Sequence, residues 1–393
     1  MGNGNGKFGG NEVVIVEAVR TPIGRGHPEK GYYKDLHASN LLARTYKELI
    51  DRSGVDPNEV GDVIAGCVQQ FGEQGLNIGR NAWLEAGLPR EVPGTTVDRQ
   101  CGSAQQAVNF AAALVASGVH DVAIGGGVEH MGHISFADSA SVMQEHGFAF
   151  SPELLERYNL IPQGLSAEMI ADQWEIPRSE LDELGVRSQH LAAKATEEGR
   201  FDREMVPMRV NGDTYATDQG LRETTIEGLS ALKPAFKEDG KITAGNSSQV
   251  SDGAAAVLLT TRAKADELGL KPRARIFDQT TVGVDPVIML TGPIPATRKL
   301  LERNGMTMDD IDLVEINEAF ASVLAAWRRE LEPDMDRVNV NGGAIALGHP
   351  LGSTGARLIT TLLHEMERSD KEMGLVTMCC GGGLGTGTLI QRV

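Results

Sequence analysis

Aromatic side chains are scarce in this chain, at 5% of 393 residues, and cysteines number only four: Cys67, Cys101, Cys379 and Cys380. Spread over so long a chain, they do not form the disulfide framework of a small secreted domain, and a reducing, cytoplasmic compartment is the expectation. No run reaches the ~18 consecutive apolar residues of a membrane-spanning helix. Positive charge is short as well. The 37 Lys and Arg stand against 54 Asp and Glu, a net charge of −17, which argues against nucleic acid or an anionic membrane as partner. An anionic cofactor stays open, because the local field decides a pocket. The opening MGNGNGKFGG has no apolar signal core, and Gly6 stands where a myristoylation signal needs a small hydroxyl residue, so we read it as a floppy tail.

Glycine is what the chain has in plenty, 47 residues, well above the roughly 7% of an average protein. With 41% hydrophobic residues, the length provides for two or three ordinary domains or two large halves packed together. Short runs of strand character recur: EVVIVEA (12–18), DVIAG (62–66), DVAIGGG (121–127), IDLVEINEA (311–319), RVNVNGG (337–343) and MGLVTMCC (373–380). Helical stretches such as LLARTYKELIDRSG and GARLITTLLHEMERS alternate with them. That alternation predicts an α/β architecture with mainly parallel strands.

The chain also resembles itself. Residues 49–67 lie without gaps on 300–318, matching Leu49 with Leu300, Arg52 with Arg303, Gly54 with Gly305, Val60 with Ile311 and Val63 with Val314. TTVDRQCGS (95–103) corresponds in placement to VNVNGGAIA (338–346), and Gly125 to Gly127 pair with Gly381 to Gly383, each triplet following a strand of like character. The expectation is a duplicated βα unit. Residues 131–250 interrupt the pattern and read as an insertion covering one face.

Several residues could carry chemistry, and each has a plain alternative. Cys101 lies where a β-rich run enters an alanine-rich helix, near helix N-terminal amides that favour a thiolate; free cysteine is also a common packing residue. His349 occupies a glycine-rich loop before a long helix, and loop histidines are commonly structural. Asn317 and Glu318 close an apolar strand, where α/β folds place their sites, or they cap the following helix. No GxGxxG follows the first strand, no CxxC spacing suggests zinc, no GxSxG elbow is present, and His120, His130 and His133 lack a further metal ligand.

Taken in order, Cys101, NEAFA (317–321), GGAIALGHP (342–350) and CCGGGLG (379–385) give a chain that resembles the thiolases, acyl-CoA acetyltransferases that cleave or form 3-ketoacyl-CoA; the likeness runs from about Val13 to the C-terminus. The resemblance implies an α/β fold of two similar halves, five-layered αβαβα with an inserted loop domain. The first half would span 11–272, with the insertion at about 131–250, and the second 273–393. It implies that Cys101 is the nucleophile holding the acyl group and that His349 takes its proton. Asn317 would fix a water that, with His349, forms one oxyanion hole, and the amides of Cys101 and Gly381 would form the other.

Coenzyme A is implied as a substrate, with no permanently bound cofactor and no metal. The resemblance puts Arg222 near the adenine, and Ser248 and Phe236 along the pantetheine. Gln249 replaces the family's glycine after that serine. A second departure is larger: where acetoacetyl-specific members often carry His-Met-Gly, this chain has Pro162, Gln163 and Gly164. That favours a degradative enzyme of fatty acid β-oxidation type acting on longer or bulkier acyl chains. A biosynthetic acetyl-CoA acetyltransferase and a non-catalytic acyl-CoA or sterol carrier remain as alternatives. A homodimer or homotetramer is implied. In the doublet, successive side chains of a strand face opposite ways. The family pattern aligns Cys379 with the acid/base position and leaves Cys380 as packing.

Overall fold

The computed structural model describes residues 11–393, and the glycine-rich opening lies outside the described residues. The β-branched run near the start forms β1 (Val13–Arg20), buried on both faces. After it come β2 (Gly24–Arg25), α1 (Ala38–Ser53), β3 (Val60–Gly66), α2 (Ile78–Glu85), β4 (Gly94–Val97), α3 (Ser103–Ala116) and β5 (Val122–His130). Residues 131–250 carry α4 (Phe136–His146), α5 (Pro152–Arg157), α6 (Gln163–Gln173), α7 (Arg178–Glu197), the hairpin β6 (Met208–Val210) and β7 (Asp213–Tyr215), and α8 (Ile226–Ser230). Then β8 (Ser251–Thr261) returns beside β5, followed by α9 (Arg262–Leu268). The remainder is β9 (Ala274–Gly283), α10 (Pro293–Asn304), β10 (Leu313–Ile316), α11 (Ala321–Leu331), α12 (Ala344–Leu347), α13 (Thr354–Arg368), β11 (Met373–Cys380) and β12 (Leu384–Arg392).

The main sheet runs β10-β11-β12-β9-β1-β8-β5-β3-β4. Its two sides repeat one plan: β3–β5 and β10–β11 are parallel, then β5–β8–β1 and β11–β12–β9 are antiparallel. The two sides join into one sheet where Val14 and Ile15 of β1 pair with Arg275 and Ala274 of β9. The gapless overlay of 49–67 on 300–318 is visible in detail. Gly54 and Gly305 both end helices with positive φ, 72° and 63°, and one-turn helices at Pro57–Glu59 and Met308–Asp310 precede β3 and β10. Glycine adopts that left-handed turn without the strain a Cβ brings.

Three hydrophobic clusters account for the layers. One joins α1 and α2 to the sheet of the first side. Another places α3 and α13 between the two sides, packed on β1, β5 and β8 as well as β11. The last joins α10, α11, α6 and α7 to the sheet of the second side. The order is helix, sheet, helix, sheet, helix, as the αβαβα expectation requires.

Three finer expectations are corrected. Strands are not mainly parallel: among the ladders of the main sheet the antiparallel ones outnumber the parallel, because each side returns on itself through two antiparallel strands. A run buried on both faces reads alike in either pairing. The glycine triplets do not correspond either. Gly125–Gly127 lie inside β5, where a Cβ on Gly127 would stand 2.0 Å from Gly352 O, whereas Gly381–Gly383 form the β11–β12 turn, with φ of 78° and 77° at Gly382 and Gly383. The 337–343 run is no strand: Val338 makes a single bridge to Val314, and Asn339 bends the chain with φ 46°.

Candidate active site

The segment before α3 is bound too tightly to be a simple strand–helix junction. Gln100 N–H donates to Asp98 Oδ1 (2.6 Å), Arg99 N–H to Ser103 Oγ (2.8 Å), and Ser103 Oγ–H to Gln100 O (2.6 Å). Gln100 is held at φ 51°, a strained conformation for a residue with a side chain. The next residue, Cys101, is thereby presented in the interior, 3% exposed, two positions before α3 begins. The backbone N–H groups of Gly381 and of Cys101 itself act on its sulfur and favour the thiolate; they are the two amides that the resemblance pairs as an oxyanion hole.

The expectation of a thiol eased toward thiolate by the helix end is not met. Burial pushes the Cys101 thiol up to about 11, outweighing those two amides, and the carboxylates of Glu129 and Asp98 add to the rise. A resting thiol therefore needs a base. His349 is suited to the task. It is buried, and burial together with the Arg357 guanidinium brings its imidazole down to about 3, so the ring is neutral. Thr354 Oγ1 donates to Pro350 O (2.8 Å), so at 2.6 Å it accepts from His349 Nδ1–H. That fixes the tautomer and leaves the Nε2 lone pair toward Asn317 Nδ2, at 3.3 Å. The loop is aimed by its backbone: His349 N–H reaches Gln249 O (3.1 Å) and Ser251 Oγ (3.2 Å).

Asn317 is fully buried, its N–H bonded to Thr377 O (3.1 Å), and its Oδ1 has no protein partner. A buried acceptor with no donor is where an ordered water is held. Neither Asn317 nor Glu318 caps a helix, since α11 starts at Ala321 without a side-chain cap. Glu318 is structural: its carboxylate accepts from Ser188 Oγ (2.6 Å), Asn339 Nδ2 (3.0 Å) and Ile345 N (3.2 Å).

The two adjacent cysteines diverge as strand geometry requires. Cys379 joins the cluster on the outer face of β11 with Leu375; its thiol is pushed well up by burial and then by the sulfurs of Cys101 and Cys380. Cys380 points inward against Gly102, where an added Cβ would stand 2.6 Å from its sulfur, and lies beside Thr386, whose hydroxyl donates to Gln105 Oε1 (2.6 Å).

The coenzyme candidates fall in two places. The Phe236 ring lies over Gly164 and meets Phe320 edge-on, with centroids 6.0 Å apart, while Ser248 N–H donates to Ala319 O (3.0 Å), so both stand beside the Asn317 segment. Arg222 is farther out, in a groove of about 520 Å³ shared with Gln189, His190 and Thr225, and its N–H bonds Gln189 Oε1 (3.0 Å). Gln249, noted as a departure, staples that region to the histidine loop: its Nε2 donates to Gly220 O (2.9 Å), Ile345 O (3.0 Å) and Ala346 O (2.8 Å).

Two supporting residues escaped the sequence reading. Thr354 could not be singled out in a polar turn. Glu129 had a signal, a carboxylate in an apolar strand; it is buried and accepts from Val68 N (2.9 Å), Gln69 N (3.0 Å), Gln74 Nε2 (2.9 Å) and Gly352 N (2.8 Å), tying the histidine loop to the first half. Among the described residues no group of His, Cys, Asp and Glu could hold a metal ion.

A second cavity, of about 620 Å³, opens beside Gly381. Its walls are Phe148, Phe150, Leu154, Tyr158 and Met289, with Gln100 and Gln163 among the few polar members.

Known proteins resemble the chain over nearly its whole length. The family model described as thiolase, N-terminal domain, matches 13–263, and that for the thiolase C-terminal domain matches 270–392. A steroid 3-ketoacyl-CoA thiolase of Mycobacterium tuberculosis is 45% identical, over 100% of this chain and 97% of its own length. An acetyl-CoA acetyltransferase of Syntrophomonas wolfei is 42% identical, over 97% of this chain and 99% of its own. The crystal structure of the Bacillus anthracis acetyl-CoA acetyltransferase superposes with a TM-score of 0.88 at 40% identity, covering 98% of this chain and 99% of that one. The chain belongs to the thiolase family of acyltransferases.

Proposed function

We propose that this thiolase works in the degradative direction, cleaving 3-ketoacyl-CoA with CoA to acetyl-CoA and a shortened acyl-CoA, and that its acyl group is long or bulky. The cavity beside Gly381 carries this reading: about 620 Å³ of mainly apolar wall is the size that encloses a drug-sized apolar group, and acetyl transfer alone has no use for it. The relative named as a steroid 3-ketoacyl-CoA thiolase agrees with it.

In the first half-reaction Cys101 Sγ attacks the keto carbon while its proton passes to His349 Nε2. The alkoxide that forms sits at the amides of Cys101 and Gly381, and its collapse breaks the carbon–carbon bond. Acetyl-CoA leaves as an enolate whose oxygen is met by the His349 imidazolium and a water held by Asn317, and Cys379 delivers a proton to the enolate carbon. The CoA thiol then attacks the Cys101 thioester and gives its proton to the Cys379 thiolate. Cys101 leaves and regains a proton from His349, so the enzyme ends as it began.

CoA would lie with its pantetheine along Ser248 and Phe236 and its adenine end at Arg222. Arg222 makes no ion pair among the described residues, which leaves it for an anionic ligand. We place the boundary between the halves at 272/273, with 131–250 as the inserted loop domain. A homodimer or homotetramer in the cytoplasm fits the family; the four cysteines are all unpaired and buried, as a reducing compartment permits. Among the described residues no helix is long and apolar enough to cross a membrane.

Thiolysis assays across 3-ketoacyl-CoA substrates of increasing length and branching test the reading. The expected result is kcat/KM rising well above the acetoacetyl-CoA value for long or bulky chains. Activity confined to acetoacetyl-CoA would assign the biosynthetic role, and binding without an acyl-enzyme in the mass spectrum would assign the carrier.

A further inference from the structure

The cavity wall is hydrocarbon over most of its extent, and two amides interrupt it at one end. A Cβ built on Gly381 would come 2.6 Å from Gln163 Nε2 and 3.3 Å from Gln100 Oε1. Both side chains therefore crowd the residue whose N–H faces the Cys101 sulfur. Gln100 has its nitrogen engaged by Asp98 at 3.1 and 3.2 Å, which leaves its oxygen as an open acceptor. Gln163 is half-buried, and its amide makes no hydrogen bond with any described residue.

An amide in such a place has a cost. When an alkyl chain fills the cavity and expels water, the Gln163 amide loses its hydration and gains nothing in return. A leucine or methionine would line the same wall without that cost. The amide is compensated only by a ligand that brings an oxygen to that point.

We propose that Gln163, together with Gln100 Oε1, reads an oxygen substituent on the acyl group. The substrate class is then a 3-ketoacyl-CoA with a bulky apolar skeleton that carries a second carbonyl or a hydroxyl a few bonds beyond the carbon attacked by Cys101. Gln163 Nε2 donates to that oxygen, and a hydroxyl gains a further bond by donating to Gln100 Oε1. The inference rests on the reading that the cavity receives the acyl group, and it concerns specificity only.

The test is steady-state thiolysis of three substrates of equal chain length: unsubstituted, with an added oxo group, and with an added hydroxyl at the same carbon. Rates are normalised to acylated sites, counted from the burst of acetyl-CoA released per chain in the absence of CoA, so that any misfolded fraction drops out. In the wild type, kcat/KM for the oxygenated substrates should exceed that for the plain chain by about tenfold or more. Gln163→Met should bring the ratio to within about twofold, through loss on the oxygenated substrates. A wild type without the preference, or a preference that survives Gln163→Met, overturns the proposal. If the wild type fails on all three long substrates but cleaves acetoacetyl-CoA, the underlying reading of the cavity has failed; turnover of the plain chain at the same rate as the others sinks the oxygen-recognition claim alone.

Discussion

At the scale of single residues, the Cys101–His349 pair is poised by burial, with both partners held neutral. With the thiol pushed up to about 11 and the imidazole down to about 3, the reacting form persists across neutral pH. The base is lost only as pH falls through the depressed imidazole value. The acid limb of kcat/KM should accordingly lie well below ~6.5, the value of a free imidazole; an inflection at that value would contradict the geometry. Alkylation of Cys101 by iodoacetamide should keep rising with pH beyond the ~8.5 of an ordinary thiol. The cysteine doublet separates by function. Cys379→Ala should still form an acyl-enzyme from a simple activated donor while losing carbon–carbon cleavage, whereas Cys380→Ala should retain most of the rate and lose about 1 kcal/mol of stability from its packing on Gly102. Full thiolysis by Cys379→Ala, read in the same assay, would remove that residue from the proton path.

The element that decides the site is the loop from Gly348 to Thr354, held from within by Thr354 and from the other half by Glu129. Thr354 fixes the imidazole ring, and Glu129 accepts the Gly352 N–H from across the interface between halves. Thr354→Val leaves the buried Nδ1–H unpaired, so kcat should fall roughly ten- to hundredfold with little change in KM, and Thr354→Ser should recover most of it. Equal losses in Val and Ser variants would point to packing instead of ring orientation. This is also where reading the sequence reached its limit. Cys101, His349, Asn317 and Cys379 stand in motifs with local signatures and could be named in advance. Glu129 and Gln249 act through contacts between segments far apart in the chain, which the sequence does not reveal even where the residue itself stands out, and Thr354 is one hydroxyl among several in a polar turn. Strand direction was missed for a related reason: β-branched runs report burial, and pairing partners are chosen by the fold.

For the whole molecule, the duplication was legible because a repeated sequence must bury a repeated face, and α3 and α13 do so against each other; the αβαβα order came from the resemblance to the thiolases. Residues 136–160 sit outside that plan, with Phe136, Phe148, Phe150 and Tyr158 substantially exposed. Limited proteolysis should cut first within this stretch, leaving both sides of the sheet protected; early cleavage within 49–67 or 300–318 would speak against the division into halves. The order of the main sheet also bears on how the chain is made. Because β1 lies between β8 and β9, it leaves the ribosome long before either neighbour and stays unpaired until residues 251–261 follow. Until residues 251–261 emerge, β1 and one edge of β5 present unsatisfied backbone and apolar side chains, the condition under which nascent sheets associate with one another. The long-range pairing that completes the first half therefore delays its folding until β8 has been made, and the yield of soluble enzyme should depend on holding the residues before β8 apart until that strand arrives.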